Sequence, residues 1–165
     1  MKYLYLMRHA KSFWMDDSLS DLERPLNKRG KKAAPKMAKV LSEFDHPPEL
    51  ILTSHAVRAA TTAGYIKGSD AFAETPCVEE EPLYSAGSET IFDVIRTQDD
   101  RYRSLLVIGH NPGMENLASM LCTDHDDITM PTAALILLHF PVDRWRDVKI
   151  KRGHLGALVF PKNLA

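Results

Sequence analysis

The residues Tyr3-Leu4-Tyr5-Leu6-Met7 form an unbroken apolar run that stops at Arg8-His9. A short run of aromatic and aliphatic side chains has the composition of a strand buried on both faces. Two similar runs follow. Leu50-Ile51-Leu52-Thr53 leads into Ser54-His55-Ala56-Val57-Arg58, and Leu105-Leu106-Val107-Ile108 leads into Gly109-His110-Asn111-Pro112-Gly113. Strands of this kind belong to parallel sheets covered by helices, which limits the chain to an α/β architecture. In such sheets ligands sit just beyond the carboxyl ends of the strands. Folding alone gives a buried strand no reason to carry a guanidinium or an imidazole there.

Helical periodicity fills the gaps between the runs. Asn27 can cap a helix in which Ala33, Met37, Val40, Leu41 and Phe44 recur at helical spacing, until His46-Pro47-Pro48 ends it. Ser54 can cap a second helix over residues 55–67, stopped by Gly68. A third covers 88–98, with Ile91, Val94 and Ile95 on one face, and a fourth follows Gly113 to about residue 121. Residues 133–140 read as a long apolar strand, and Cys77-Val78 as a short edge strand. Residues 147–152 and 155–160 read as two further strands joined as a hairpin through Gly153. Residues 11–27, which hold Asp16, Asp17, Ser18, Ser20, Asp21 and Pro25, read as a long loop, and long loops inside compact domains are often functional. The alternation predicts a three-layer α/β/α sandwich around a mostly parallel sheet. No linker, repeat or low-complexity stretch divides the chain, so residues 1–165 are expected to form one domain.

Composition removes several functional classes. The net charge is −1, which gives no bulk electrostatic case for nucleic acid or an anionic membrane. No run approaches the roughly 20 apolar residues of a spanning helix. The first residues enter a strand pattern without an apolar leader segment, and Cys77 and Cys122 lie far apart, outside any CxxC spacing. These features predict a cytoplasmic protein with free thiols.

If the three strand ends share one sheet edge, Arg8, His9, Arg58 and His110 meet in a single crevice beside helix N-termini. Arginine forks and helix N-termini both favour phosphate oxygens. A neutral imidazole in such a pocket can attack phosphorus and form a covalent intermediate, with the cations stabilising the charge that develops. A metal site built from His9, His55 and His110 with acids of residues 16–21 is the alternative. It lacks HxH or HExxH spacing and sets an arginine beside the cation.

Four blocks carry a resemblance to a known family. They are Met7-Arg8-His9-Ala10-Lys11-Ser12, Asp21-Leu22-Glu23-Arg24-Pro25-Leu26-Asn27, Ser54-His55-Ala56-Val57-Arg58-Ala59-Ala60-Thr61-Thr62-Ala63, and Gly109-His110-Asn111-Pro112-Gly113. In order and composition they resemble the histidine phosphatase (phosphoglycerate mutase-like) superfamily, and most closely its short SixA-like branch of phosphohistidine phosphatases. The resemblance implies the phosphoglycerate mutase-like sandwich and His9 as a nucleophile that becomes phosphorylated. It also implies Arg8, Arg58 and His110 as phosphoryl-holding groups, with neither metal nor cofactor. Two departures stand out. Ala10 replaces the usual Gly of the Arg-His-Gly signature, and Met15 stands where mutase-like members carry a phosphate-touching Asn. Two acids are candidates for the proton donor: Asp21, which could instead pair with Arg24, and Glu81, in the charge run Glu79-Glu80-Glu81.

A weak acid would suit phosphohistidine, because imidazole is a better leaving group than an alkoxide. Residues 69–88 leave little room for a lid, so a phosphorylated side chain on another protein could reach the site. Phe13 and Trp14 are candidates for a rim contact with such a partner. The expected function is a metal-independent phosphatase acting on phosphohistidine in proteins. The alternatives are a phosphomonoesterase acting on a small phosphorylated metabolite, and a binding module that uses the same pocket without turnover.

Overall fold

The computed structural model describes residues 1–14 and 17–164. Strand β1 (Lys2–Arg8) lies at the middle of a six-stranded sheet. On one side it pairs in parallel with β4 (Ser104–Gly109), which pairs in parallel with β2 (Leu50–Thr53), which pairs in parallel with β3 (Cys77–Glu79). On the other side β1 pairs antiparallel with β5 (Leu135–Phe140), and β5 antiparallel with β6 (His154–Val159). The order is β3-β2-β4-β1-β5-β6, so β5 alone runs against the rest.

Alternation along the central strands feeds two cores, as the two-residue period of a strand requires. Leu4, Leu6, Leu105 and Val107 pack with α3 (Ser88–Arg96) and α4 (Gly113–Leu121) through Ile91, Phe92, Ile95, Met114 and Leu117. Tyr5, Met7, Leu106 and Ile108 pack on the opposite face with α1 (Lys28–Ser42) and α2 (Val57–Lys67) through Ala34, Met37, Leu41, Ala63 and Ile66. The result is the expected three-layer α/β/α sandwich. Asn27 caps α1, its side-chain oxygen accepting from the Gly30 N–H at 2.9 Å. No helix among the described residues is long and apolar enough to cross a membrane.

Register fixes where the sheet delivers its termini. Arg8 lies opposite Gly109 and Thr53 opposite Ile108. The chain therefore leaves β1, β4 and β2 at one level, with His9, His110 and Ser54 next in line.

Three local expectations are corrected. Residues 147–152 are not a strand. Trp145–Asp147 is a short 3₁₀ turn anchored by the buried Trp145, whose Nε1–H donates to the Tyr102 carbonyl at 2.9 Å, and Lys151 has φ 60°. Consequently β6 pairs with β5 rather than with a hairpin arm, while Gly153 bridges to Cys122. Strand β5 begins at Leu135 and not at 133, because Ala133 sits at φ 60°. Helix α2 begins at Val57, and Ser54 faces the site rather than capping it. Met15, where the resemblance expects Asn, lies outside the described residues.

Candidate active site

A cavity of ≈ 590 Å³ opens at the carboxyl edge of the sheet, lined by Arg8, His9, Arg58 and His110 together with Lys11, Asp21, Arg24 and Tyr84. The four residues expected from three separated strand ends thus share one cavity. The rings of His9 and His110 stand with centroids 5.1 Å apart.

His9 is held as a neutral ring with one nitrogen free. Its Nδ1 lies 2.7 Å from the Ala10 carbonyl oxygen. A carbonyl only accepts, so Nδ1 carries the proton and Nε2 keeps its lone pair. Burial above all, and then the nearby His110, Arg58 and Arg8, lower the His9 pKa to about 3, against the pull of the Ala10 carbonyl. The turn itself is anchored from α2. The Ala10 N–H donates to Thr62 Oγ1 at 3.0 Å, and that hydroxyl donates to the Arg58 carbonyl at 2.7 Å. Ala10 is fully buried, so its methyl is accommodated where the family signature has Gly.

His110 is set by the end of β2. Its Nε2 lies 2.8 Å from Ser54 Oγ, which also accepts from the Ala56 N–H at 3.2 Å. The hydroxyl proton is then available to Nε2, leaving a proton on Nδ1. Burial first, then Arg58, lower the His110 pKa to about 4, so this ring too is neutral near pH 7.

The arginines are positioned by backbone carbonyls and by one carboxylate. Arg8 donates through Nη1 to the Met130 carbonyl at 3.2 Å. That carbonyl also accepts from Asn111 Nδ2, and Glu115 Oε2 accepts from both Asn111 Nδ2 and the Met130 N–H. Arg58 donates through Nη1 to the Asp21 carbonyl at 2.6 Å and through Nη2 to Asp21 Oδ2 at 3.0 Å. Arg24 forks onto Asp21 Oδ1 with Nε and Nη2, and its Nη1 donates to Ser12 Oγ at 2.6 Å. The Arg24 guanidinium also lies 3.5 Å from the centre of the Trp14 ring.

Among the described residues, four buried side-chain nitrogens have no hydrogen-bond partner: Arg8 Nε, Arg58 Nε, His110 Nδ1 and His55 Nδ1. Buried polar atoms are ordinarily paired. Three of these four belong to residues that line the cavity, a donor set suited to a tetrahedral oxyanion.

The two acid candidates fall differently from expectation. Asp21 lines the cavity, but the Tyr84 hydroxyl donating to Oδ2 at 2.6 Å, followed by Arg58 and Arg24, lowers its pKa to about 2. It is an ionised hinge between two arginines and not a proton reservoir. Glu81 is exposed at the start of the turn Glu81–Leu83 and does not line the cavity. That stretch sends in Tyr84 instead. Tyr84 stands edge-on to both His110 and His55, with centroids 5.6 and 5.5 Å away. Its phenol pKa is raised by the bond to Asp21. Residues 69–88 therefore do reach the site. Gly113 allows this, because a Cβ there would stand 2.2 Å from the Ala86 carbonyl oxygen. Neither Tyr84 nor the helper residues Ser54 and Thr62 carries a periodic signal in sequence. Ser54 and Thr62 at least lie inside the block that contains Arg58. His55 is half-buried and does not line the cavity, and among the described residues no group of three or more His, Cys, Asp or Glu side chains is placed to hold a metal ion.

Comparison with known proteins bears on the family and the fold. The family model described as histidine phosphatase superfamily (branch 1) matches residues 4–83. An uncharacterised chloroplastic protein of Arabidopsis thaliana is 34% identical over 143 residues, 81% of this chain. This chain spans 65% of the length of that relative. An uncharacterised protein of Mycobacterium tuberculosis is 31% identical over 152 residues, covering 87% of this chain and 92% of its own. Among solved structures, one from Agrobacterium tumefaciens, assigned by name to the phosphohistidine phosphatases as SixA, superposes with TM-score 0.80 at 28% identity. That match covers 97% of this chain and 98% of the other. The protein histidine phosphatase SixA complexed with tungstate shares the fold, with TM-score 0.79 at 20% identity over 99% of both chains.

Proposed function

Because this chain belongs to the histidine phosphatase superfamily (branch 1), we propose that it is a phosphatase in which His9 accepts the phosphoryl group, with phosphohistidine on a protein as its substrate. His9 Nε2 attacks phosphorus as the bond from phosphorus to the leaving group breaks. The proton stays on His9 Nδ1, where its hydrogen bond to the Ala10 carbonyl steadies the ring as it becomes positive. Arg8, Arg58 and the Nδ1–H of His110 receive the equatorial oxygens, whose charge grows in the transition state. Water then attacks the phosphorus of phosphorylated His9, releasing inorganic phosphate and the free ring.

The observation that carries the choice of substrate is the lack of a ready acid among the described cavity residues. Asp21 is ionised, Tyr84 is a weaker acid than usual, and His110 is neutral. An alkoxide needs a proton as it departs. The ring of a substrate phosphohistidine takes a proton from solvent on its far nitrogen and leaves as neutral imidazole, so it needs no donor from this site. Two unpaired cysteines, Cys77 and Cys122, fit the cytoplasmic location proposed for it.

The test compares wild type and His9→Ala on a histidine-phosphorylated protein and on a panel of phosphate esters. The expected result is a kcat/KM at least about tenfold higher for the phosphohistidine protein, lost in the variant. Equal turnover of a sugar phosphate would move the assignment to a small-metabolite phosphomonoesterase. Binding without turnover on any substrate would leave a phosphate-binding module.

A further inference from the structure

A second groove adjoins the cavity and shares Lys11, Pro131 and Thr132 with it. Its volume is ≈ 320 Å³. The remaining wall comes from α1 (Arg29, Lys32, Ala33, Lys36) and from the C-terminal segment Phe160, Pro161 and Lys162. Positions 29, 32, 33 and 36 fall on one helix face, spanning about 10 Å along the axis. The helix docks here because Gly30 lets it approach the chain just after His9. A Cβ at Gly30 would stand 2.2 Å from the Lys11 carbonyl oxygen, and the Asn27 N–H donates to that same oxygen at 2.9 Å.

The charge of this wall is one-sided. Helix α1 holds Lys28, Arg29, Lys31, Lys32, Lys36 and Lys39 and no acid, in a chain whose net charge is −1. Lys11, Arg29, Lys32, Lys36 and Lys162 are exposed, and among the described residues none of the five forms an ion pair. The fold does not use these charges internally, and their clustering repels. The floor between them is apolar: Ala33, Pro131, Phe160 and Pro161. A bare phosphate would need no such floor. Nucleic acid would engage the lysines but leave the same floor unmatched. A peptide carrying alternating acidic and apolar side chains satisfies both.

We infer that this groove docks an acidic, partly apolar segment of the protein substrate, next to the phosphorylated residue that enters the cavity. The inference rests on the proposed phosphoprotein substrate and names what flanks the phosphorylated residue. Contacts of this type act through charge complementarity and are weakened by salt.

The probes are two twelve-residue peptides, each with one phosphohistidine flanked by leucines and by either glutamates or glutamines. The variant is Arg29→Gln/Lys32→Gln/Lys36→Gln, all exposed positions outside the catalytic cavity. In wild type the glutamate peptide is expected to show about tenfold higher kcat/KM, carried by KM, with the advantage fading at high salt. In the variant the two peptides become equal, while hydrolysis of phosphoramidate stays unchanged. Binding of the same peptides without phosphate, labelled with fluorescein and read by anisotropy, follows the same pattern. That arm holds even if no phosphohistidine is turned over, so failure of the proposed activity and failure of the groove are told apart. Three results would overturn the inference: no preference between the wild-type binding curves, a preference that survives in the variant, or polyuridylate binding more tightly than the glutamate peptide. An equal loss on phosphoramidate would also overturn it, because the substitutions would then be acting on the cavity itself.

Discussion

The floor and the rim of the cavity are built by different means. The floor consists of Arg8, His9, His110 and Arg58, held at the ends of the central strands β1 and β4 or in the first turn of α2. Its polar contacts are mostly to backbone carbonyls and to short side chains such as Ser54 and Thr62. The rim consists of Asp21, Arg24 and Tyr84, whose bonds converge on the Asp21 carboxylate across 63 residues of sequence, with Trp14 stacked on the Arg24 guanidinium. Trp14 is 71% exposed, whereas His9 is 6% exposed. The floor has the rigidity that in-line chemistry requires. The rim ties loops together and sets what approaches. Damage to the floor should therefore appear in the chemical step, and damage to the rim in positioning.

The largest effect is expected from His9→Ala, a loss of at least about a thousandfold in kcat with the fold retained, checked by steady-state kinetics and a melting curve. Substantial residual turnover would remove the division at its base. Arg58→Ala spans both regions, since Arg58 reaches the cavity and also holds Asp21 by two bonds. A loss of about a hundredfold is expected, together with a rise of the Asp21 pKa toward the ordinary carboxylate range, measurable by NMR titration. Lysine at that position should not restore activity, because an ammonium lacks the planar fork that holds Asp21 through two nitrogens and still turns a third toward the cavity.

Third in size is the response to pH. A His9 of ordinary pKa near 6.5 would lose about tenfold in neutral fraction by pH 5.5. With the His9 pKa lowered to about 3 and that of His110 to about 4, single-turnover phosphorylation should stay flat from pH 7 to about 5 and fall only below that. Stability should move earlier. As pH drops through about 6.5 the unfolded histidines bind protons and the folded ones do not, so unfolding is favoured progressively from there toward pH 3. Denaturant midpoints across that range test the sign. The smallest effect belongs to the rim. Tyr84→Phe removes one bond to Asp21, and about a threefold change is expected, in KM more than in kcat. A hundredfold drop in kcat would place Tyr84 with the floor instead.

The same division explains what the sequence discloses. The floor is legible because unbroken apolar strands and helices of period 3.6 locate it, and parallel pairing then sets His9, Ser54 and His110 side by side. Of the rim, Asp21, its pairing with Arg24 and the place of Trp14 are legible, whereas Tyr84 is not, since it meets Asp21 only through the paths of two loops that no periodicity fixes. The expectation that Asp21 could donate a proton fails for the same reason: its carboxylate is defined by Arg24, Arg58 and Tyr84 acting together. Glu81 fails because the turn Glu81–Leu83 buries Leu83 and points the chain inward only at Tyr84. The strand expected over 147–152 does not form because the anchoring of Trp145 sets a 3₁₀ turn there.

The central claim is that the phosphoryl group passes through His9. Rapid quenching of the enzyme with ³²P-phosphoramidate, followed by digestion and peptide mapping, tests it most directly. The label is expected on the peptide containing His9, stable in base and lost in acid, and absent from His9→Ala. Phosphate release at the wild-type rate from His9→Ala, or label mapping to another residue, would contradict it.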